Sequence, residues 1–191
     1  AAMLTLCFYR VPMLRSDDFS HWGLVARHLL RHDVFPDSNA PWVNFQSYPL
    51  GSAVFIYYVS RIIGNTEGMY LLAQIFLLGP LLLPLLAFIN PRQKNCGAMY
   101  TVVALAFFLY FIAFRMLQTL LVDMLLSLFG IAITAGIVYY KNSFKKALIT
   151  ALPGMIAIVY VKNSGLFFSV INAVLLGYRV RSEERFSRNA E

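Results

Sequence analysis

Apolar runs long enough to cross a bilayer constrain this chain more than any other feature. They lie at 68–89, 98–114 and 117–140, and a spanning helix needs about 20 apolar residues, with a lower limit of about 17. Shorter apolar segments lie at 50–63, 147–161 and 165–178. In hydrocarbon each backbone N–H and C=O must be satisfied within its own segment, so such runs become helices. The chain is 59% hydrophobic and 13% charged, whereas a soluble domain is about half apolar and a quarter charged. It therefore reads as an all-α, polytopic transmembrane helical bundle. Gly79-Pro80, Pro84 and Pro153-Gly154 sit inside apolar runs, which bundled membrane helices tolerate. Pro153 and the interruption from Lys162 to Gly165 are expected to tilt or break the last two segments.

Charge sets the expected topology. The connectors 90–97 (Arg92, Lys94) and 141–146 (Lys141, Lys145, Lys146) are basic and carry no acid. The positive-inside rule assigns both to the cytoplasm, and the two spans between them keep the parity consistent. Asn65-Thr66-Glu67 and the turn at 115–116 then face outside. Segment 50–63 is short for a span. If it lies along the surface or re-enters, the polar stretch 10–48 is an outer loop. Asp17, Asp18, Arg115, Asp123 and Lys162 then share one level, and ionisable residues held at membrane depth are costly enough to mark a site.

Neither terminus is taken as native. Residues 1–9 read as the end of a helix that opens without an initiator Met. The last eleven residues, RSEERFSRNAE from Arg181 to Glu191, resemble the translation of a common short-read sequencing adapter and are set aside, as any fusion scar would be. They hold three Arg and three Glu, so the net charge of +7 is the same without them. Residues 1–180 are thus read as the N-terminal part of a membrane domain that continues beyond Val180. Cys7 and Cys96 are the only cysteines and define neither a disulfide framework nor a CxxC metal site.

Loop 10–48 has a pattern of its own. Apolar residues at 19, 22, 24, 25, 26, 29 and 30 form an approximate helical stripe, preceded by Ser16 and Asp17, which suit an N-cap. A short amphipathic helix on the membrane surface is expected. Pro36, Pro41 and Pro49 then impose extended or turning chain. Asp17 and Asp18 lie beside Phe19, His21 and Trp22. Either carboxylate can serve as a general base at the membrane surface, or the pair can be a helix cap with a solvated neighbour. The spacings of His21, His28 and His32 allow shared helix faces, but a metal site needs further ligands; interfacial polar residues near phosphate head groups are the plainer reading.

Residues 17–50 resemble the first outer loop of the GT-C glycosyltransferases, membrane enzymes that use lipid-phosphate sugars. The pattern is that of aminoarabinose transferases and protein O-mannosyltransferases: an Asp-Glu pair, an aromatic, an Ala-Arg-x-Met/Leu-Leu turn and a Pro-Pro-Leu segment. It appears here as Asp17-Asp18, Trp22, Ala26-Arg27-His28-Leu29-Leu30 and Tyr48-Pro49-Leu50-Gly51. The wording DDFSHWG also resembles DEFSHWG in membrane proteins of Gram-positive bacteria. Arg115 with Val122-Asp123-Met124-Leu125-Leu126 resembles the family's Arg…Asp-x-x-Leu element, and Lys162-Asn163-Ser164-Gly165 a Lys-x-Ser-Gly of those relatives. Asp18 stands where the family usually has Glu, and Leu50 where a second Pro is common.

The resemblance implies a GT-C-like fold with a juxtamembrane helix at 50–63 and a hexosyltransferase in the bacterial cytoplasmic membrane, acting outside. Asp17, matching the family's first acid, would be the base, with Asp18 beside it. His21, Trp22, Arg27, Tyr48, Arg115, Asp123 and Lys162 would bind substrate. Arg115 and Lys162 suit the phosphate leaving group, or snorkel to the interface. Asp123 would orient Arg115, take a cation, or form an ion pair that fixes helix packing. The implied partners are a lipid-linked sugar donor, membrane lipids and an acceptor that is a glycan, lipid or protein. No cofactor is required by the motifs, although a divalent cation remains open. The rival readings are a transporter or flippase of lipid-linked glycans and a non-enzymatic membrane subunit. No Gly-rich phosphate loop, nucleophile elbow or HExxH occurs, and the net charge reflects loops and interfacial residues rather than nucleic-acid binding.

Overall fold

The computed structural model describes residues 2–37, 40–89, 97, 99–100, 103–104, 118–140 and 142–188. Arg115, Cys96 and most of the expected span 98–114 lie outside them. Every regular element among the described residues is helical. In chain order they are α1 (Ala2–Phe8), a π-helical turn (Asp18–Trp22), α2 (Gly23–His32), α3 (Gly51–Ile63), α4 (Glu67–Leu81), α5 (Leu83–Leu86), α6 (Val122–Tyr139), α7 (Phe144–Val161) and α8 (Gly165–Arg188).

Among the described residues, three stretches are long and apolar enough to cross a membrane: Glu67–Leu86, Val122–Tyr139 and Phe144–Val161. The first joins α4 and α5 through a break at Leu82, between Pro80 and Pro84. The third corrects the sequence reading, which took 147–161 as too short to be a clear span. The helix starts at Phe144, so Lys145 and Lys146 belong to its first turn. Long amphipathic side chains can be carried at a membrane helix end, with the stem along apolar surface and the ammonium in water. Pro153 lies inside α7 without ending it, whereas Lys162 is extended and separates α7 from α8.

Helices α6, α7 and α8 pack in sequence, with glycines at their crossings. A β-carbon on Gly136 would meet Thr150, one on Gly154 would meet Ile133, and one on Gly130 would meet Phe168. Small residues let membrane helices approach closely, and dispersion contacts then hold them. The opposite faces of α7 and α8 expose apolar stripes, Ile149, Leu152, Ile156 and Tyr160 on one and Phe167, Val170, Ile171, Val174 and Tyr178 on the other. Exposed apolar area on that scale marks a surface made for lipid or another apolar partner.

The polar loop is fastened to one end of this bundle. Helix α2 buries Val25, Ala26, Leu29 and Leu30, the C-terminal part of the expected stripe, whereas Phe19 at its start is exposed. At the start of α4, Thr66 caps the helix by accepting from the Met69 N–H (3.4 Å). Glu67 there accepts from the Met13 N–H and from Arg27, both at 3.1 Å. Helix α3 begins with Gly51 against the Tyr160 carbonyl near the end of α7. It ends at Gly64, just before α4 begins. Both its ends are therefore at the loop end of the bundle, and its 13 residues, about 20 Å of helix, lie across that end. Asp33, left-handed at φ 56°, accepts from Tyr57 (2.7 Å) and pairs with Arg61, tying α2 to α3.

Candidate functional site

The two neighbouring aspartates have different environments. Successive residues on a helical turn point about 100° apart, so one side chain of such a pair can face the core while the next faces out. Asp18 is fully buried. Its Oδ1 accepts from the Leu120 N–H (2.8 Å) and the Thr119 hydroxyl (3.1 Å). The Thr119 carbonyl accepts in turn from the buried Gln74 amide of α4 at 3.1 Å. Asp18 thus joins the loop, the approach to α6 and the middle of α4 in one polar network. Burial pushes its carboxyl above the ordinary value near 3.8, against the lowering by those hydrogen bonds. Its Oδ2 has no hydrogen-bond partner among the described residues.

Asp17 is half-exposed. It stands at the N-cap of the π-helical turn, yet its side chain makes no capping hydrogen bond. Among the described residues it has no ion-pair partner either. Its acceptor capacity is therefore open, the condition a general base must meet. The turn is held tight at its far end by Gly23, where a β-carbon would stand 2.6 Å from the Asp18 carbonyl and 2.8 Å from the Met13 side chain.

That turn carries His21 and Trp22 into an aromatic cluster. Trp22 stacks on Tyr48 (centroids 6.0 Å apart, planes at 21°), and Phe45 stacks on Tyr48 (5.0 Å, 13°). His21 meets Trp22, Phe45 and Tyr48 edge-on at 4.4, 5.4 and 6.0 Å. Its imidazole is fully buried, with both ring nitrogens unpaired among the described residues. Burial lowers its pKa below 6.5, so a neutral ring is favoured in this apolar setting.

From the bundle, Lys162 places its Nζ 5.4 Å from the centre of the Tyr48 ring, within cation–π range. The same Nζ donates to Asp123 Oδ1 at 2.6 Å. Asp123 lies in the first turn of α6, at the helix's positive end. Asn163 donates to the Ser47 carbonyl (3.1 Å) and pins the Tyr48 segment to the α7–α8 break. Below Asp123 the same face of α6 continues through Ser127 and Thr134 into a groove of about 550 Å³ against α8. There the Thr134 hydroxyl donates to Asn172 at 2.9 Å.

His21, Trp22, Tyr48, Asp123 and Lys162 thus meet at one end of the bundle, with Asp17 on the turn that leads into them. Arg27 does not join them, because its guanidinium is held by Glu67 at 3.1 Å. Arg115 lies outside the described residues. Phe45 and Thr119 were not singled out by sequence. The spacing of three between Phe45 and Tyr48 was a local signal for the first, but the pairing of Thr119 with Asp18 crosses 101 residues and leaves no local trace. Among the described residues no three His, Cys, Asp or Glu side chains converge on a metal position. Comparison with family models, curated proteins and solved structures finds no match.

Proposed function

We propose that the chain is part of a GT-C-like glycosyltransferase that moves a sugar from a polyprenyl-phosphate donor to an acceptor outside the membrane. The supporting observation is the meeting of the Lys162–Asp123 pair with the Trp22–Tyr48 stack, beside a turn whose first acid, Asp17, is open. In this reading an acceptor hydroxyl gives its proton to Asp17 and its oxygen attacks the anomeric carbon. The bond from that carbon to the phosphate oxygen breaks, and configuration inverts. Charge develops on the departing phosphate, where a fixed cation contributes most. Lys162 supplies one such cation, already oriented by Asp123, and Arg115 a second. Trp22 is buried behind the stack, so the ring area left for packing against a sugar is that of the exposed Phe45 and the part-exposed Tyr48.

A second reading, a transporter of lipid-linked glycans, draws on the groove between α6 and α8 with its Thr134–Asn172 pair. One preparation separates the two. Proteoliposomes of the full-length protein are given polyprenyl-phosphate sugar labelled in the sugar, together with membrane-derived acceptors. Label moving to an acceptor supports the transferase. Label crossing the bilayer still attached to its lipid contradicts it and supports the transporter.

A further inference from the structure

One concave patch is not used by that reading. It lies along α2, where Arg27 and Arg31 are one turn apart and His28 and His32 are one turn apart, with Trp42 as a facing wall and Leu24 at its edge. The cleft holds about 130 Å³, the room of a few waters at about 30 Å³ each and well below the roughly 300 Å³ of a site for a drug-sized ligand. The His28 ring lies 4.8 Å from both His32 and Trp42, and its Nε2 is buried with no hydrogen-bond partner among the described residues.

The charges around the cleft decide what it fits. Like charges one turn apart on a helix repel, and Arg27 and Arg31 stand one turn apart on this face beside the His28–His32 pair. The nearby carboxylates are already engaged. Glu67 holds Arg27 and the Met13 N–H, and Asp33 holds Arg61 and Tyr57. Burial and the neighbouring His32 hold the His28 ring below its ordinary pKa, and Asp37 opposes this only through its field. Basic residues in the last turn suit a helix C-terminus, but that does not account for a concavity with an unpaired buried nitrogen and a tryptophan wall. Two arginines lining the cleft disfavour a metal ion beside the histidines. Just past α2, Val34 and Phe35 are 56% and 63% exposed, apolar area of the kind that sits in a bilayer interface.

We propose that this cleft binds a phosphate group, with Arg31 and the His28–His32 pair as its donors and Trp42 as its wall. The group can come from an anionic lipid head group or from free phosphate, and the test separates these sources. The protein has three histidines, so their ¹⁵N-labelled side chains give a simple NMR spectrum, assigned with His28→Gln and His32→Gln. The full-length protein is placed in phosphatidylcholine nanodiscs and titrated with inorganic phosphate against sodium chloride at matched ionic strength. It is then moved to nanodiscs containing phosphatidic acid. Saturable shifts of His28 and His32, with His21 unmoved, are expected in at least one arm. Shifts with inorganic phosphate identify free phosphate as sufficient, and shifts only with phosphatidic acid identify the head group. Arg31→Gln should weaken the effect at least about tenfold, as loss of a charged hydrogen bond does. Arg10→Gln, at an exposed cation outside the cleft, should not. An unchanged His21 signal in each variant reports an intact fold. The proposal is overturned by no shift in either arm, by equal movement of His21, by an equal loss in Arg10→Gln, or by zinc producing the shifts where phosphate does not.

Discussion

At the residue scale the central distinction is between Asp17 and Asp18. Asp18 is a buried acceptor for Leu120 and Thr119, so its importance is structural before it is chemical. Asp18→Asn keeps an acceptor oxygen at the same place and removes a charge that burial disfavours. Asp18→Ala strands buried donors, at roughly 1–3 kcal/mol for each. Thermal unfolding in detergent should therefore leave Asp18→Asn no less stable than wild type at neutral pH and lower Asp18→Ala clearly. The pH dependence has a definite sign. A carboxyl whose pKa is raised on folding stabilises the fold below its unfolded value, and that contribution is lost as pH rises through the folded value. The Asp18→Asn variant lacks that loss, so its stability relative to wild type should climb as pH rises from about 3.8 toward neutrality. A flat difference, or a falling one, would count against a buried and raised Asp18. His21 supplies a second test. With both nitrogens unpaired and aromatic rings on three sides, His21→Phe should raise the melting temperature, most visibly below pH 6.5, where the unfolded histidine takes up a proton that the buried one resists. A lower melting temperature would mean that the imidazole has a polar partner.

At the element scale the site depends on how α3 crosses the end of the bundle. Gly51 permits its start to touch the Tyr160 carbonyl, and Asn163 fastens the preceding segment through Ser47. Gly51→Ala should force the two elements apart and cost about 1–3 kcal/mol, the usual range for overpacking. Gly79→Ala, where a β-carbon meets nothing within 4 Å among the described residues, should be neutral or slightly favourable. Equal melting temperatures for the two variants would remove the Gly51 contact from the account. The elements themselves were largely legible. Apolar length marked Glu67–Leu86 and Val122–Tyr139, and the stripe from Phe19 to Leu30 marked α2. The start of α7 was not, because two lysines end an apolar run in sequence but do not end a helix whose cations can reach water. The roles of the two aspartates were not legible either. A doublet Asp-Asp looks symmetric in sequence, and only the remote Thr119-Leu120 segment makes one of them an anchor. The meeting of Lys162 with Asp123 was legible as a shared level, but not as a direct pair over Tyr48, since the loop's path fixes that ring.

At the scale of the whole molecule, the loop, α3, the starts of α4, α6 and α8 and the end of α7 all gather at one end. If the basic connectors that carry Arg92 and Lys145 follow the positive-inside rule, this end faces outside. In a cysteine-free background, Asn44→Cys should react with an impermeant thiol reagent in intact cells and Asn142→Cys only after lysis; the reverse pattern would invert the topology. The central claim is that one acid of the doublet does chemistry and the other holds the fold. Its most direct test is transfer of labelled sugar from polyprenyl phosphate in membranes, at matched expression, by wild type, Asp17→Asn and Asp18→Asn of the full-length protein. Asp17→Asn should lose about 10²–10⁴-fold in rate, the usual contribution of a general base, and retain donor binding. Asp18→Asn should lose far less. Near-normal transfer by Asp17→Asn, or a large loss confined to Asp18→Asn, would contradict the account.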